Sequence, residues 1–565
     1  MVSSVQISSN RQQVGPTPPA PKRADDRAKS DLWIFREGRR EVSGPAMLQD
    51  IIRRLESGNA LLDCLIQAGE LESALADLNA PGAPAAARLT DALAVRLCTG
   101  DGDEGMDPNQ LAGKIEAPET ISISPPEGFT YYALHPLDFA RAVEQIPDHP
   151  SKCAVIGVRS IGTTLSAVTT AVLNARGRAA TRITVRPSGH PYARSAEFSP
   201  EQERWIAEQL LQSAQFLVVD EGPGRSGSTF LSVVEALGRV GIPRDRITIV
   251  GSREFDPQGL CAEDAAQRWR GLHYVCTAPS ISSRFLNFPY IGGGDWRTYF
   301  CGAEQEWPES WTQMERLKFL SPDRRQFFKF EGMGPRGREV RERAFLLASE
   351  GFSPAVCDAG DGFLSYTAVE GRHLGKEDVS PSLLEEIARY CSFRSSEFTC
   401  TATHNSELGH MLEFNVQQEF GRDLKLESGQ LTAATPLLAD GRMQPHEWIS
   451  STKSKLLKTD AISHGDNHFF PGPCDIAWDL AGTVVEWGLN AQATEFLLGK
   501  FRQFSGVPIS QQFEDFMLAY CVFRLGFCKM ATSTVVGSRE EYRLESAYRS
   551  YRAKAQQLLA SRPVQ

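Results

Sequence analysis

The sequence predicts a multidomain α/β and α+β protein: a helical N-terminal module, a doubly wound parallel-sheet domain, and a C-terminal domain of strands followed by helices. Three observations predict it. The chain has 565 residues, 41% hydrophobic and 23% charged, which is too long for one core and divides into two to four domains. Apolar residues recur at helical spacing up to about residue 125. From about Phe129 the texture changes to short apolar runs, each followed by a Gly-rich or polar turn and an amphipathic stretch, the alternation that builds a parallel sheet.

The formal net charge of −10 lacks the basic face that nucleic acid or an anionic membrane requires. The expected partners are small-molecule substrates, with no nucleic acid and no membrane; the oligomeric state is left open, a homo-oligomer included. Residues 1–30, "MVSSVQISSNRQQVGPTPPAPKRADDRAKS", lack the apolar core of a signal peptide, and no later run is long enough to span a bilayer. The expectation is a cytoplasmic protein with a disordered Pro/Ser/Arg-rich tail. Twelve cysteines occur without a Cys-x-x-Cys pair, which points to neither a disulfide framework nor a zinc ribbon.

Residues 31–128 form the helical module. "AMLQDIIRRLESGNALLDCLIQAGELESALADLN" carries apolar residues at helical spacing, with a helix stop expected at Gly69 before Glu70 opens the next. No catalytic constellation is visible there, so packing is its expected role. Residues 129–285 follow as strand, loop, helix in "KCAVIGVRSIGTTLSAVTTAVLNARG", strand and polar loop in "ATRITVRPSGHPYAR", strand, loop, helix in "FLVVDEGPGRSGSTFLSVVEALGRVG", and strand in "DRITIVGSRE". Ligands of such sheets sit at the carboxyl ends of the strands. There, a helix N-terminus preceded by Gly and Ser offers unpaired N–H groups and a positive dipole end to a phosphate. Asp220 and Glu221 suit a ribose diol or a metal ion.

"VVDEGPGRSGST" resembles the phosphoribosyl-pyrophosphate signature of type I phosphoribosyltransferases, "IGVRSIGTTLS" their pyrophosphate loop, and "VRPSGHPYARS" their mobile loop. The resemblance implies that Asp220 and Glu221 bind ribose and that Gly224, Arg225, Ser226, Gly227, Ser228 and Thr229 wrap the 5′-phosphate. It further implies that Arg159, Ser160 and Gly162 hold pyrophosphate, with Arg186, His190 and Arg194 as further candidates. Residues 286–313, aromatic around a triple glycine, read as a packed linker, with a base-stacking lid as the alternative.

Residues 314–565 contain "RRQFFKFEGMGPRGREVRERAFLLASEGFSPAVCDAGDGFLSYTAVEGRHL", a strand with a lysine, a helix with acids and two strands, and later "HGD" and "WDLAG". These resemble the aminoglycoside phosphotransferase and choline kinase group, implying a bilobal kinase-like domain. By that resemblance Asp466 is the catalytic carboxylate, His464 braces its loop, and Lys329 contacts nucleotide phosphates while pairing with Glu339 or Glu342. Pro471 stands where the family places a metal-binding Asn. Asp475 is the candidate metal ligand, with Asn467 and His468 as substitutes, and Asp479 caps or braces a loop. The combined expectation is a bifunctional enzyme using phosphoribosyl pyrophosphate and ATP with Mg2+. The alternative is a regulatory protein that responds to these nucleotides with one or both domains catalytically degenerate.

Overall fold

The computed structural model describes residues 32–36, 38–58, 60–100, 107–146, 152–400, 406–424, 426, 431–433, 435–453 and 455–562; the tail expected over residues 1–30 lies outside them. Three helices, Gly44–Ser57, Leu61–Asp77 and Ala83–Thr99, build the N-terminal module. Ser43 caps the first by accepting from the Ala46 N–H. The helix break expected at Gly69 does not occur. Leu61–Asp77 runs through it, because Gly69 is where this helix touches Ile161–Ala175: a Cβ there would come within 2.0 Å of Thr164 Oγ1. The glycine serves close helix packing rather than a stop. Cys64 to Leu75 are buried all round, and Glu72 among them takes both Nη atoms of Arg182 at 2.8 Å. The module also contains a short antiparallel ribbon, Arg40–Val42 with Ile121–Ile123.

The parallel sheet is present, in the spatial order Ala179–Val185, Lys152–Val158, Gln215–Val219, Ile247–Gly251, His273–Cys276. Alternate residues of its strands face two different cores. Cys153 and Val155 pack with Leu165 of the Ile161–Ala175 helix, and Ala154 and Ile156 pack with Ile206 and Leu231 of the helices on the other face. Burial on both faces explains the unbroken apolar runs of these strands. The winding direction reverses between Lys152–Val158 and Gln215–Val219, which opens a crevice at their carboxyl ends. The first core does not end at the sheet. Phe285 stacks on Phe319 at 4.3 Å, and Phe330, Met333 and Phe363 complete the same cluster.

The C-terminal half begins with a four-stranded antiparallel sheet, ordered Lys318–Leu320, Gln326–Phe330, Phe363–Thr367, Val356–Gly360. Gln326–Phe330 carries Lys329 and is followed by the Gly334–Ser349 helix, in the order expected from the sequence. A second small sheet joins Gly371–His373, Trp448–Ser451 and Leu456–Lys458. Helices Pro381–Glu397, Ser406–Phe420, Ala477–Glu486, Ala491–Ser505, Phe513–Thr532 and Arg539–Ala560 form the opposite lobe. Residues 32–36 thread into that lobe. Leu32 and Ile34 lie in its core, and Gly526 leaves room for them, since a Cβ there would meet Ile34 Cγ2 at 2.8 Å. The Asn415 amide accepts from Trp33 N–H at 2.7 Å and donates to Trp33 O at 2.9 Å. No helix among the described residues is long and apolar enough to cross a membrane.

Candidate active site

A cavity of about 190 Å³ lies between the four-stranded sheet and the helical lobe. Its wall is aromatic: Phe327 stacks on Tyr366 at 5.1 Å, and Trp296 of the 286–313 segment stacks on His446 at 5.8 Å. Its floor is charged. Lys329 projects from the strand and donates to Ser463 Oγ (3.0 Å), pairs with Glu331 (2.9 Å) and pairs across the cleft with Asp460. The expected pairing of Lys329 with the following helix does not form, because Glu339 is taken by Arg40 at 2.9 Å and Glu342 points to solvent.

Glu447 and Asp460 flank the Trp448–Ser451/Leu456–Lys458 hairpin and both line the cavity. The fully buried Lys458 donates to Glu447 at 2.8 Å and lies 3.2 Å from Asp440. Burial, with Asp440 and Asp460 adding to it, pushes Glu447 up to about 7 against the pull of Lys458. Burial would raise Asp460 too, but Lys329 and Lys318 hold it well below the usual carboxylate range. His464 has Nε2 3.5 Å from Asp460 and Nδ1 without a hydrogen-bond partner. Burial keeps its imidazole neutral. One carboxylate and one imidazole join Glu447 in a group of potential ligands, Asp440, Glu447 and His464, whose donor atoms lie within 4.8 Å of one another.

Asp466 does not line this cavity. It accepts from Arg40 at 2.5 Å and from Arg343 at 3.2 Å, and Arg36 lies 3.6 Å away. The expected metal ligand Asp475 also lies outside the cavity lining and accepts from the Ala477 N–H at 2.8 Å. Asn467 lines the cavity but uses its Oδ1 on the Phe469 N–H. His468 packs on Phe35 at 5.5 Å. Asp479 accepts from the Asp440 and Gly441 N–H groups at 2.8 and 3.0 Å and so braces the loop before Glu447.

The residues expected to bind phosphoribosyl pyrophosphate gather at the crevice of the parallel sheet. Glu221 accepts from the Gly128 N–H at 2.7 Å. Burial and the neighbouring Glu221 push Asp220 up to about 8. Gly227, in the left-handed region at φ 68°, turns the chain into the Ser228–Arg239 helix. Ser226 and Ser228 donate to the Pro191 carbonyl at 2.8 and 2.6 Å, at the tip of the Ser188–His190/Ala193–Ser195 hairpin. Gly224 and His190 are exposed, and Thr229 is half-buried in the first helical turn. The Arg225 carbonyl accepts from Cys261 N–H at 3.1 Å, and Arg194 donates to Pro187 O at 3.4 Å. Gly162 allows a close approach: a Cβ would lie 2.6 Å from Val219 O. Arg159 and Arg186 both clasp Asp77, at 2.8 and 2.6 Å. A second cavity, of about 240 Å³, adjoins them and is lined by Ser73, Ser160 and Glu70.

Sequence reasoning passed over Asp460 and Glu447. The available signal was two acids bracketing two short apolar runs, "EWISSTKSKLLKTD". No protein-family model matches the chain, and no curated protein matches it. Solved structures similar to part of it include a choline/ethanolamine kinase family protein from Mesorhizobium loti, 13% identical over 43% of this chain and 88% of that chain, TM-score 0.31. Choline kinase LicA from Streptococcus pneumoniae is 16% identical over 44% of this chain and 90% of that chain, TM-score 0.30. A putative aminoglycoside phosphotransferase from Ralstonia eutropha is 13% identical over 44% of this chain and 88% of that chain, TM-score 0.30.

Proposed function

We propose that the chain is an ATP-dependent phosphotransferase acting on a hydroxyl of a small molecule, with its chemistry in the cleft between the four-stranded sheet and the helical lobe. The observation that carries this reading is the Lys329–Asp460 pair, which joins the two lobes across an aromatic-walled cavity. In kinases a strand lysine holds nucleotide phosphates while acidic or amide groups on two successive loops hold magnesium. Glu447 and Asp460 flank one hairpin and fit that requirement, because crowded carboxylates offer the oxygen ligands a hard cation prefers. Bound Mg2+ would neutralise charge on the nucleotide phosphates. Lys329 then orients those phosphates, and the aromatic wall excludes water from them. His464, held neutral by burial and with Nε2 3.5 Å from Asp460, positions that carboxylate in the cleft.

The test is magnesium-dependent ATP binding and turnover by Lys329→Met and Asp460→Asn. Each should weaken binding or turnover by about tenfold or more. Wild-type behaviour in both would remove the reading. Tight binding of ATP without turnover of any acceptor would favour the regulatory alternative.

A second ligand, phosphoribosyl pyrophosphate, is favoured at the parallel-sheet crevice by one observation: Asp220 and Glu221 follow one strand and Arg159, which Asp77 engages together with Arg186, follows its parallel neighbour where the sheet reverses its winding. Calorimetric titration of the donor into wild-type and Asp220→Asn protein checks it, with loss of binding in the variant expected. Unchanged binding would reject the ribose role of Asp220.

A further inference from the structure

One part of the cleft is gathered around the Phe527 ring. The Arg442 guanidinium lies 4.6 Å from its centroid and that of Arg524 lies 5.2 Å away, while the Trp311 ring is 5.1 Å from it. All four residues line the same cavity. Trp311 is 6% exposed and its Nε1 has no hydrogen-bond partner. Arg524 is 1% exposed; Glu309 and Glu486 engage its Nη2 and Nε, and Nη1 has no partner. Arg442 stacks on the ring, and the acids that act on it, Glu447 and Asp460, are engaged by Lys458 and Lys329. Two buried donors without partners, Arg524 Nη1 and Trp311 Nε1, therefore belong to residues that line this cavity beside Arg442, a condition that an acceptor-rich ligand relieves.

We propose that this part of the cleft is the acceptor subsite and that it takes a hydroxyl compound bearing an oxyanion, either a carboxylate or a phosphate monoester. The proposal rests on the phosphotransferase reading. A planar guanidinium and an N–H donor suit the oxygens of such a group. A quaternary ammonium acceptor would need an open ring face, and the face of Phe527 already carries two guanidiniums.

Full-length protein saturated with Mg2+ and a non-hydrolysable ATP analogue should be titrated by calorimetry with inorganic phosphate, ribose 5-phosphate, glycerate and choline. At least one anion is expected to bind and choline is not. Anion affinity should fall about tenfold or more in Arg442→Met and recover in part in Arg442→Lys, with affinity for the analogue preserved. Preference for the phosphates or for glycerate identifies which oxyanion the subsite takes. Choline binding more tightly than every anion, no anion binding, or unchanged anion affinity in Arg442→Met would each overturn the proposal. Equal loss of analogue and anion in that variant would assign Arg442 to the nucleotide phosphates and overturn it as well. If wild-type protein fails to bind the analogue, the phosphotransferase reading falls, and the same anions titrated without nucleotide decide the oxyanion subsite alone.

Discussion

Asp466 and Asp220 are both removed from bulk water, and their surroundings drive them in opposite directions. Burial alone would raise Asp466, but Arg40, Arg343, Arg336 and Arg36 hold its carboxyl far below the usual range. A depressed carboxylate contributes stability that is present above its unfolded value, about 3.9, and is lost as the pH falls toward the folded value. Asp466→Asn leaves buried guanidiniums without their counter-charge, so it should cost about 3–5 kcal/mol near pH 7, read as a lower urea midpoint. A wild-type midpoint with lost turnover would instead return Asp466 to a catalytic role. Asp220 is raised to about 8 by burial and Glu221, so the folded state keeps a proton that the unfolded chain loses above pH 4. Its contribution therefore turns unfavourable as the pH rises through that window. Asp220→Asn should raise Tm at pH 8 by about 1 °C per kcal/mol recovered for a unit of this size, with the gain vanishing at pH 4. A Tm difference that is the same at both pH values would contradict the assignment. Gain of stability with loss of ligand is the usual trade at a binding residue.

At the scale of elements, the hairpin after Glu447 and the loop "HGD" divide roles that a reading of the sequence assigns to the loop alone. Gly465 lies against the preceding loop so closely that a Cβ would come within 1.8 Å of Ala439 O. Asp479 clamps the next two N–H groups of that preceding loop. The glycine thus fixes His464 toward the cleft while Asp466 turns to the arginines. Gly465→Ala meets a backbone carbonyl that cannot step aside, and should cost about 1–3 kcal/mol together with part of the nucleotide affinity. A melting curve and an ATP titration identical to wild type would show that the loop is not held this way. The place of Lys329 on a strand ahead of an acidic helix was legible from the order of elements around it. Asp460 and Glu447 were not, because which acid faces a cleft depends on where the hairpin folds back, and the local pattern around them is weaker than that of "HGD". The parallel sheet was legible strand by strand from unbroken apolar runs. The continuous helix through Gly69 was not, since the contact with Thr164 that calls for a glycine is not local in sequence.

For the whole molecule, the same limit appears as connections that span the chain. Trp33 and Asn415, 382 positions apart, exchange two hydrogen bonds, and Leu32 and Ile34 fill the core of the C-terminal helical lobe. Arg36 and Arg40 continue from there to Asp466. The buried Leu61–Asp77 helix then ties the module to the parallel sheet through Glu72 and Arg182. One hydrophobic cluster runs from that sheet through Phe285 into the strand pair around Phe330 and Phe363. With cores and ion pairs shared in this way, no half can lose its packing without exposing the other, and unfolding is expected as one cooperative transition rather than domain by domain. Ile34→Ala tests this with a residue that lines neither cavity: removing a fully buried aliphatic group costs about 2–5 kcal/mol. In differential scanning calorimetry the single endotherm should move down as a whole, and saturating Mg2+–ATP at about 100 Kd should return roughly 2.7 kcal/mol to it. Two endotherms, with only one displaced by the substitution and the other by the nucleotide, would mean that the shared core does not couple the halves and that residues 32–36 stabilise their own lobe alone.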